Sequence, residues 1–374
     1  MKFNVVIIGG GPAGLSAAIA LANTGVAVTL IEKNSYPREK TCAGILTHKT
    51  VSLLKVKIPQ LNIDDFFATN HLSLFYKDRQ NIQVSVNYPF VLVDRKQFDY
   101  NLLDICKTSN VHVMEKRKVV AVKPDKNILY LNDGQAIAYD FLIAADGAHS
   151  IIRKSLGIQP MPLAFCIQDY IERCHCPDSL AHLQELQLHF GNISLGYSWV
   201  VPNNESIIIG TGAFANNFDW AKLQQIHDEL CSKLYITDIS KRRGAHVPIG
   251  GLISQTNYPN ENIIFIGDAA GLANPLTGEG LYHALLSGFL AGEAFVSNCI
   301  QFKTIYLSLL HNIADNLKQD SRLISSFYDR PMLENVFYQL KDYPKYISSI
   351  CDNVVSLEQQ SYLSLMEELE KLFR

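Results

Sequence analysis

Three glycines, Gly9, Gly11 and Gly14, stand at the spacing of a phosphate-binding turn, and an acid, Glu32, follows roughly 20 residues on. The first glycine permits a tight bend, the second lets backbone approach a pyrophosphate, and the third lets a helix pack closely on a strand. The helix N-terminus, with Pro12 and Ala13 at its start, offers free N–H groups and a positive dipole end to phosphate. The acid, followed by Lys33, is placed to accept hydrogen bonds from a ribose and to repel a 2′-phosphate. Alone, the pattern is weak, because glycine-rich turns are common and the same spacing serves NAD, NADP and FAD.

The flanking sequence strengthens it. VVIIGG is a β-branched run that reads as a buried parallel strand, LSAAIALA reads as the helix packed on it, and VAVTLIE reads as a second strand ending at Glu32. Two more segments lie far along the chain. AADGAHS, from Ala144 to Ser150, follows the buried run FLIAA and carries Asp146 and Gly147. FIGDAAGLANPLTGEG, from Phe265 to Gly280, carries Gly267, Asp268, Pro275, Gly278, Glu279 and Gly280. Together the three segments read as an FAD site. Asp268 can accept hydroxyl hydrogen bonds, and it can equally cap the next helix. The turn at Pro275 to Gly280 leads into LYHALLSGFLAG, whose first N–H groups, from Leu281 on, could stabilise negative charge on a reduced ring.

Composition sets the frame. A chain of 374 residues with a formal charge of -3 and no long basic run has no electrostatic footprint for nucleic acid, and Lys241 to Arg243 reads as a solvated turn. Glycines interrupt the apolar N-terminus, which therefore reads as neither signal peptide nor membrane span. Eight irregularly spaced cysteines suggest reduced thiols and a cytoplasmic protein. Cys174 and Cys176 flank His175, but no second pair with zinc spacing follows, so no metal is expected.

The expected fold class is α/β: a Rossmann-like FAD-binding domain interleaved with an antiparallel β-sheet substrate domain, and a C-terminal helical region. The nucleotide-type segments recur at the start, the middle and near Gly267, which makes the FAD-binding domain discontinuous over 1–70, 94–158 and 259–300. Strand-like runs assign 71–93 and 159–258 to the substrate-binding domain. Residues 301–374 read as helical, with breaks near Pro331 and Pro344. Phe98, Leu102 and Ile105 define one face of a helix preceded by Arg95, and Leu223, Ile226, Leu230 and Leu234 define another over Phe218 to Leu234. On the run GYSWVVP, Tyr197 and Trp199 alternate with their neighbours and so share one sheet face, lining an apolar tunnel or packing in an ordinary core.

The GGGPAG start, the ADG loop and the IGDAAG segment resemble the FAD-dependent superfamily of aromatic hydroxylases and geranylgeranyl reductases over about the first 300 residues. KTCAGIL at Lys40 to Leu46, GYSWVVP at Gly196 to Pro202 and NPLTGEGLYHALLSG at Asn274 to Gly288 resemble its geranylgeranyl reductase branch. Hydroxylases usually carry a histidine where this chain has Gly271, and GQG where it has Gly278, Glu279 and Gly280, a departure that disfavours oxygen chemistry. The resemblance implies that Asp268 contacts the ribityl chain, that Asp146 and Gly147 lie near the pyrophosphate, and that Arg95 faces the FAD. It also implies a cofactor-side position for the loop Cys42, Ala43 and Gly44, in which Ala43 replaces one of two common glycines.

The activity so implied is reduction of carbon–carbon double bonds in a prenyl group of a lipid, quinone or isoprenoid. Such a reduction needs a hydride on one carbon and a proton on the other. A thiol of ordinary pKa, about 8.5, stays protonated at neutral pH, which makes Cys42 the candidate proton donor, with Tyr282 as second choice. The alternatives are an inert buried Cys42 and a Tyr282 that only packs. Tyr197 and Trp199 would hold the prenyl chain, worth roughly 0.8 kcal/mol per buried CH₂. No second glycine fingerprint supplies a nicotinamide domain, so electrons would come from transiently docked NAD(P)H or reduced ferredoxin. The expected partners are therefore a hydrophobic small molecule and possibly a protein electron donor, with at most peripheral membrane contact. The alternative activity is an FAD-dependent monooxygenase acting on an aromatic or polyketide-type metabolite.

Overall fold

The computed structural model describes residues 3–22, 24–214, 219–236, 241–250, 252, 258, 260–328, 330–340, 348, 351–352 and 362. Two compact units interleave along the chain: residues 1–40, 96–162 and 248–318 form the first, and 41–95, 163–247 and 319–374 the second. The expected functional boundaries at 70/71 and 300/301 do not coincide with the bounds of these units.

The first unit is built on a five-stranded parallel sheet in the order Ile263–Phe265, Phe141–Ala144, Asn4–Ile8, Ala27–Ile31, His112–Met114. Its central strands are mostly apolar, and Val5, Val6 and Ile7 are fully buried, as a parallel sheet covered on both faces requires. The helix Pro12–Ala22 starts where proline is tolerated best, in the first turn, and packs against the helix Leu281–Ser297. A three-stranded antiparallel sheet, Val119–Lys123, Ile128–Leu131 and Ala136–Ala138, joins the helix Arg95–Thr108 side of the chain to the strand at Phe141. The predicted helix face there holds, with Phe98 and Leu102 buried and Ile105 half-buried.

The second unit is an eight-stranded sheet in the order Arg242–Pro248, Leu163–Glu172, Ser206–Ala213, Gly196–Pro202, Leu186–Phe190, Phe67–Tyr76, Gln80–Leu92, Ile45–Leu46. It is mixed rather than wholly antiparallel, because Leu186–Phe190 runs parallel to Phe67–Tyr76. The runs at 71–93 form two long strands rather than several short ones. The helix Trp220–Lys233, capped by Asp219, lies over one face, burying Leu223, Ile226 and Leu230; the predicted start at Phe218 lies outside the described residues. In the tail, Phe302–Phe327 and Arg330–Leu340 are helical, so the expected break near Pro331 is present, and the proline itself sits in the first turn of the second helix. Pro344 lies outside the described residues. Among the described residues, no helix is long and apolar enough to cross a membrane.

Candidate functional site

In the first unit the three chemistry-bearing segments converge at the carboxyl ends of the parallel strands, where ligands of open α/β sheets bind. Gly9 leaves its strand at φ +100°, a conformation that disfavours any side chain, and donates from its N–H to Ile31 O at 2.8 Å. A Cβ on Gly9 would overlap Ala145 O, and one on Gly14 would overlap Gly9 O, so the first and third glycines are fixed by close approach. A Cβ on Gly267 would fall 2.8 Å from that of Ala13, which places the GDAAG segment against the same helix start. Gly11 differs: a Cβ there would meet nothing within 4 Å. The turn thus keeps open space over the middle glycine beside the N-terminus of an 11-residue helix, a cradle that fits a pyrophosphate.

Glu32 closes this turn. Its buried carboxylate accepts from Gly10 N at 2.8 Å and from Asn34 N at 3.0 Å. Arg38, which sequence reasoning missed, donates to Gly10 O at 2.8 Å and pairs with buried Asp99 at 3.3 Å. Tyr36, also missed, donates its hydroxyl to the same Gly10 carbonyl, and burial pushes its phenol pKa well up. Their signal was the polar run YPRE just past the acid, but only the fold brings it back to the glycines. Lys33 is exposed.

Asp146 caps a helix. One carboxylate oxygen accepts from Ile151 N at 2.7 Å, at the start of Ile151–Ser155, while the other is buried without a partner among the described residues. Burial raises its pKa, against hydrogen bonds from Ser150 and the backbone. Arg153 donates to the carbonyls of Ala269 and Gln159, at 3.3 and 2.9 Å. Gly147 has φ +83°.

The TGEG turn is organised by Asn274, whose side-chain oxygen accepts from Leu276 N at 2.9 Å and Thr277 N at 3.1 Å, holding Pro275 between them. Its backbone N–H donates to Glu279 O at 2.9 Å and its carbonyl accepts from Gly278 N at 2.9 Å. The N-cap residue of Leu281–Ser297 is Gly280, which has no side chain to offer. The Asp268 carboxylate lies 3.4 Å from where a Gly280 Cβ would stand, at the helix entrance. Tyr282 is buried on the first turn, its ring 5.4 Å from that of His283.

The remaining candidates belong to the second unit. Gly44 has φ +72°, and a Cβ on it would overlap Val93 O, whereas Ala43 has no positive φ. The one glycine this loop needs is therefore present, and alanine at 43 is tolerated. Cys42 is half-buried; its Sγ accepts from Gly44 N at 3.4 Å, and its backbone N–H donates to the Tyr170 hydroxyl at 3.4 Å. Burial raises the Tyr170 phenol pKa, and the positive charge of Arg95, which is itself buried rather than surface-solvated, works against that rise. Tyr170 donates to Gln168 Oε1 at 3.1 Å.

Tyr170 and Gln168 alternate with Asp169 along one strand, so the sheet has two chemically distinct faces. The Tyr170 face also carries Tyr197 and Trp199, 5.5 Å apart between ring centroids, with Phe190 and Phe214 5.6 and 5.7 Å from Tyr197. Cys42, Tyr197 and Trp199, singled out separately in the sequence, thus meet on one sheet surface.

The opposite face, under Trp220–Lys233, holds a closed polar network. Asp169 accepts from His227 Nε2 at 3.0 Å and from Arg242 at 2.9 and 2.8 Å, and His227 Nδ1 pairs with Thr211 at 3.0 Å. Burial would raise the Asp169 carboxyl, but hydrogen bonds from Arg242 and His227 prevail and lower its pKa to about 2. Arg242 begins a strand and is committed to buried charge, so the 241–243 cluster is no solvated turn. Asp169, His227 and Cys231 have metal-like spacing, yet the bidentate arginine occupies the carboxylate that an ion would need. Glu172, Cys174 and His175 form a second such group, fully at the surface.

Comparison with known proteins agrees with this geometry. The chain matches the FAD binding domain family over residues 2–295 and belongs to it. It is 30% identical over 318 residues to a menaquinone reductase of Mycolicibacterium smegmatis, covering 79% of this chain and 77% of that one. It is 27% identical to digeranylgeranylglycerophospholipid reductase 1 of Methanosphaera stadtmanae, over 100% of this chain and 94% of the other. The fold is that of a geranylgeranyl bacteriochlorophyll reductase-like protein from Thermoplasma acidophilum, with TM-score 0.74, 18% identity and coverage of 94% and 99%.

Proposed function

We propose that the protein is an FAD-dependent reductase of carbon–carbon double bonds in the prenyl group of a lipid, quinone or related isoprenoid. The carrying observation is the Cys42 loop tied to Tyr170 on the face that also bears Tyr197 and Trp199. The names of the menaquinone and digeranylgeranylglycerophospholipid reductases support the substrate class.

Gly9, Gly11, Pro12, Ala13 and Gly14 hold the FAD pyrophosphate at the helix start. Glu32 and Lys33 serve the adenosine side, with lone pairs left on Glu32 for ribose hydroxyls. Asp146, Gly147, Gly267 and Asp268 hold the central part, and Pro275, Gly278, Glu279, Gly280 and Leu281 offer the ring the N-terminus of a second helix. Arg95 and the loop Cys42, Ala43 and Gly44 complete the cofactor side. Bound there, FAD supplies the hydride, replenished by NAD(P)H or reduced ferredoxin.

Cys42 Sγ–H gives the proton to the other alkene carbon. The Gly44 N–H on that sulfur stabilises the thiolate left behind until solvent reprotonates it. Tyr282 is the second-choice donor. Tyr197 and Trp199 bind the apolar chain, and membrane contact is peripheral, enough to collect such a substrate. Anaerobic photoreduced enzyme mixed with a geranylgeranyl lipid should reoxidise and give a product heavier by two hydrogens per bond. Reoxidation that occurs only with oxygen and an aromatic substrate would instead establish the monooxygenase alternative.

A further inference from the structure

Two buried N–H donors on the Cys42 face have no hydrogen-bond partner among the described residues: Gln168 Nε2 and Trp199 Nε1. Gln168 is 0% and Trp199 7% exposed. They share one row of the sheet, because Gln168 pairs with Gly210 and Gly210 pairs with Trp199. Residues in one row project from the same face, and neighbouring strands are about 4.8 Å apart, so both side chains flank Gly210. The absence of a side chain at Gly210 has a use: a Cβ there would overlap the Trp199 indole, including Nε1, which therefore lies over the glycine that separates the two residues in the row.

The amide orientation of Gln168 is set by its neighbour. Tyr170 accepts from Cys42 N and donates to Gln168 Oε1, which leaves Nε2 as the unpaired group. Burying an N–H without an acceptor is costly, and a native fold rarely carries two on one row without a reason. Both donors are uncharged, so each can serve a neutral oxygen acceptor.

We propose that Gln168 and Trp199 are specificity-determining residues that together bind an uncharged acceptor oxygen, a carbonyl or ether next to the prenyl chain. This rests on the prenyl-reductase reading and sharpens it: the preferred substrate is an oxygen-bearing prenyl compound, not a bare polyprenyl hydrocarbon.

The test is equilibrium binding to the FAD-loaded protein of two probes of equal length, a geranylgeranyl methyl ether and the analogue with CH₂ in place of oxygen. The wild type should prefer the ether by roughly tenfold or more. Gln168→Met and Trp199→Phe should each reduce that preference several-fold, and the double variant should abolish it. Because each preference is a ratio within one protein, general damage to the fold cancels. Equal binding of both probes by the wild type overturns the inference and leaves the prenyl reading standing, as does an undiminished preference in the double variant, which would mean that ordinary water serves these donors. Binding of neither probe by the wild type overturns the prenyl reading and this inference with it.

Discussion

Replacing Glu32 by glutamine tests whether the acid holds the phosphate turn. In the wild type one carboxylate accepts two backbone N–H groups, from Gly10 at 2.8 Å and Asn34 at 3.0 Å, at 5% exposure. Glutamine keeps the shape but has one acceptor oxygen; its NH₂ must face an N–H donor, so one charge-assisted bond is lost and the other becomes neutral. A charge-assisted hydrogen bond is worth about 1.5–3 kcal/mol, which converts to a rise of roughly 10- to 150-fold in the Kd for FAD. The assay is titration of the apoprotein with FAD, following quenching of flavin fluorescence. Asp64→Asn, at an exposed ion pair with Lys55, removes the same charge and should leave the Kd within about twofold. A Glu32→Gln protein with wild-type circular dichroism and a Kd raised less than threefold would refute the reasoning.

Cys42→Ala should lower turnover of a prenyl substrate by roughly 10²- to 10⁴-fold while leaving the rate of flavin reduction by the donor intact, as rapid-mixing absorbance would record. Gly44→Ala forces a side chain into φ +72° and against Val93 O, and should lower the melting temperature measurably, whereas Ala43→Gly should barely change it. Asp169→Ala strands a buried histidine and an arginine and should cost about 3–5 kcal/mol in denaturant titration, against less than about 1 kcal/mol for the half-exposed Asp228→Ala. The Asp169 carboxyl is depressed from 3.8 to about 2, so its contribution, about 2 kcal/mol, is complete above pH 4 and lost as the pH falls toward 2. The melting-temperature gap between wild type and Asp169→Asn should therefore narrow over that interval, and a constant gap would contradict it.

The nucleotide half was legible because its signals are local: glycine spacing, a β-branched run and an acid at fixed distance all sit within one βαβ stretch. The GDAAG and ADG segments were legible as resemblance, and the fold shows why they belong together, at adjacent strand ends. The substrate-side chemistry was only half readable. Alternation put Tyr197 and Trp199 on one face, but nothing local links Cys42 to Tyr170 across 128 residues, or Gln168 to Trp199 through Gly210. Arg242 was misread for the same reason: its partner, Asp169, is 73 residues away, and a basic triplet without its partner looks solvated. The parallel pairing of Leu186–Phe190 with Phe67–Tyr76 likewise depends on register between distant strands, which periodicity does not encode.

The cysteine loop belongs to the same compact unit as the aromatic sheet, not to the unit that carries the glycine turn. Under the proposed function, acid chemistry and ligand choice would be inherited as one block. A chimera that exchanges residues 41–95 and 163–247 with those of a relative should import the donor's preferred molecule and its proton source in one transfer, while Gly9, Gly11, Gly14 and Glu32 of the phosphate turn stay the recipient's own.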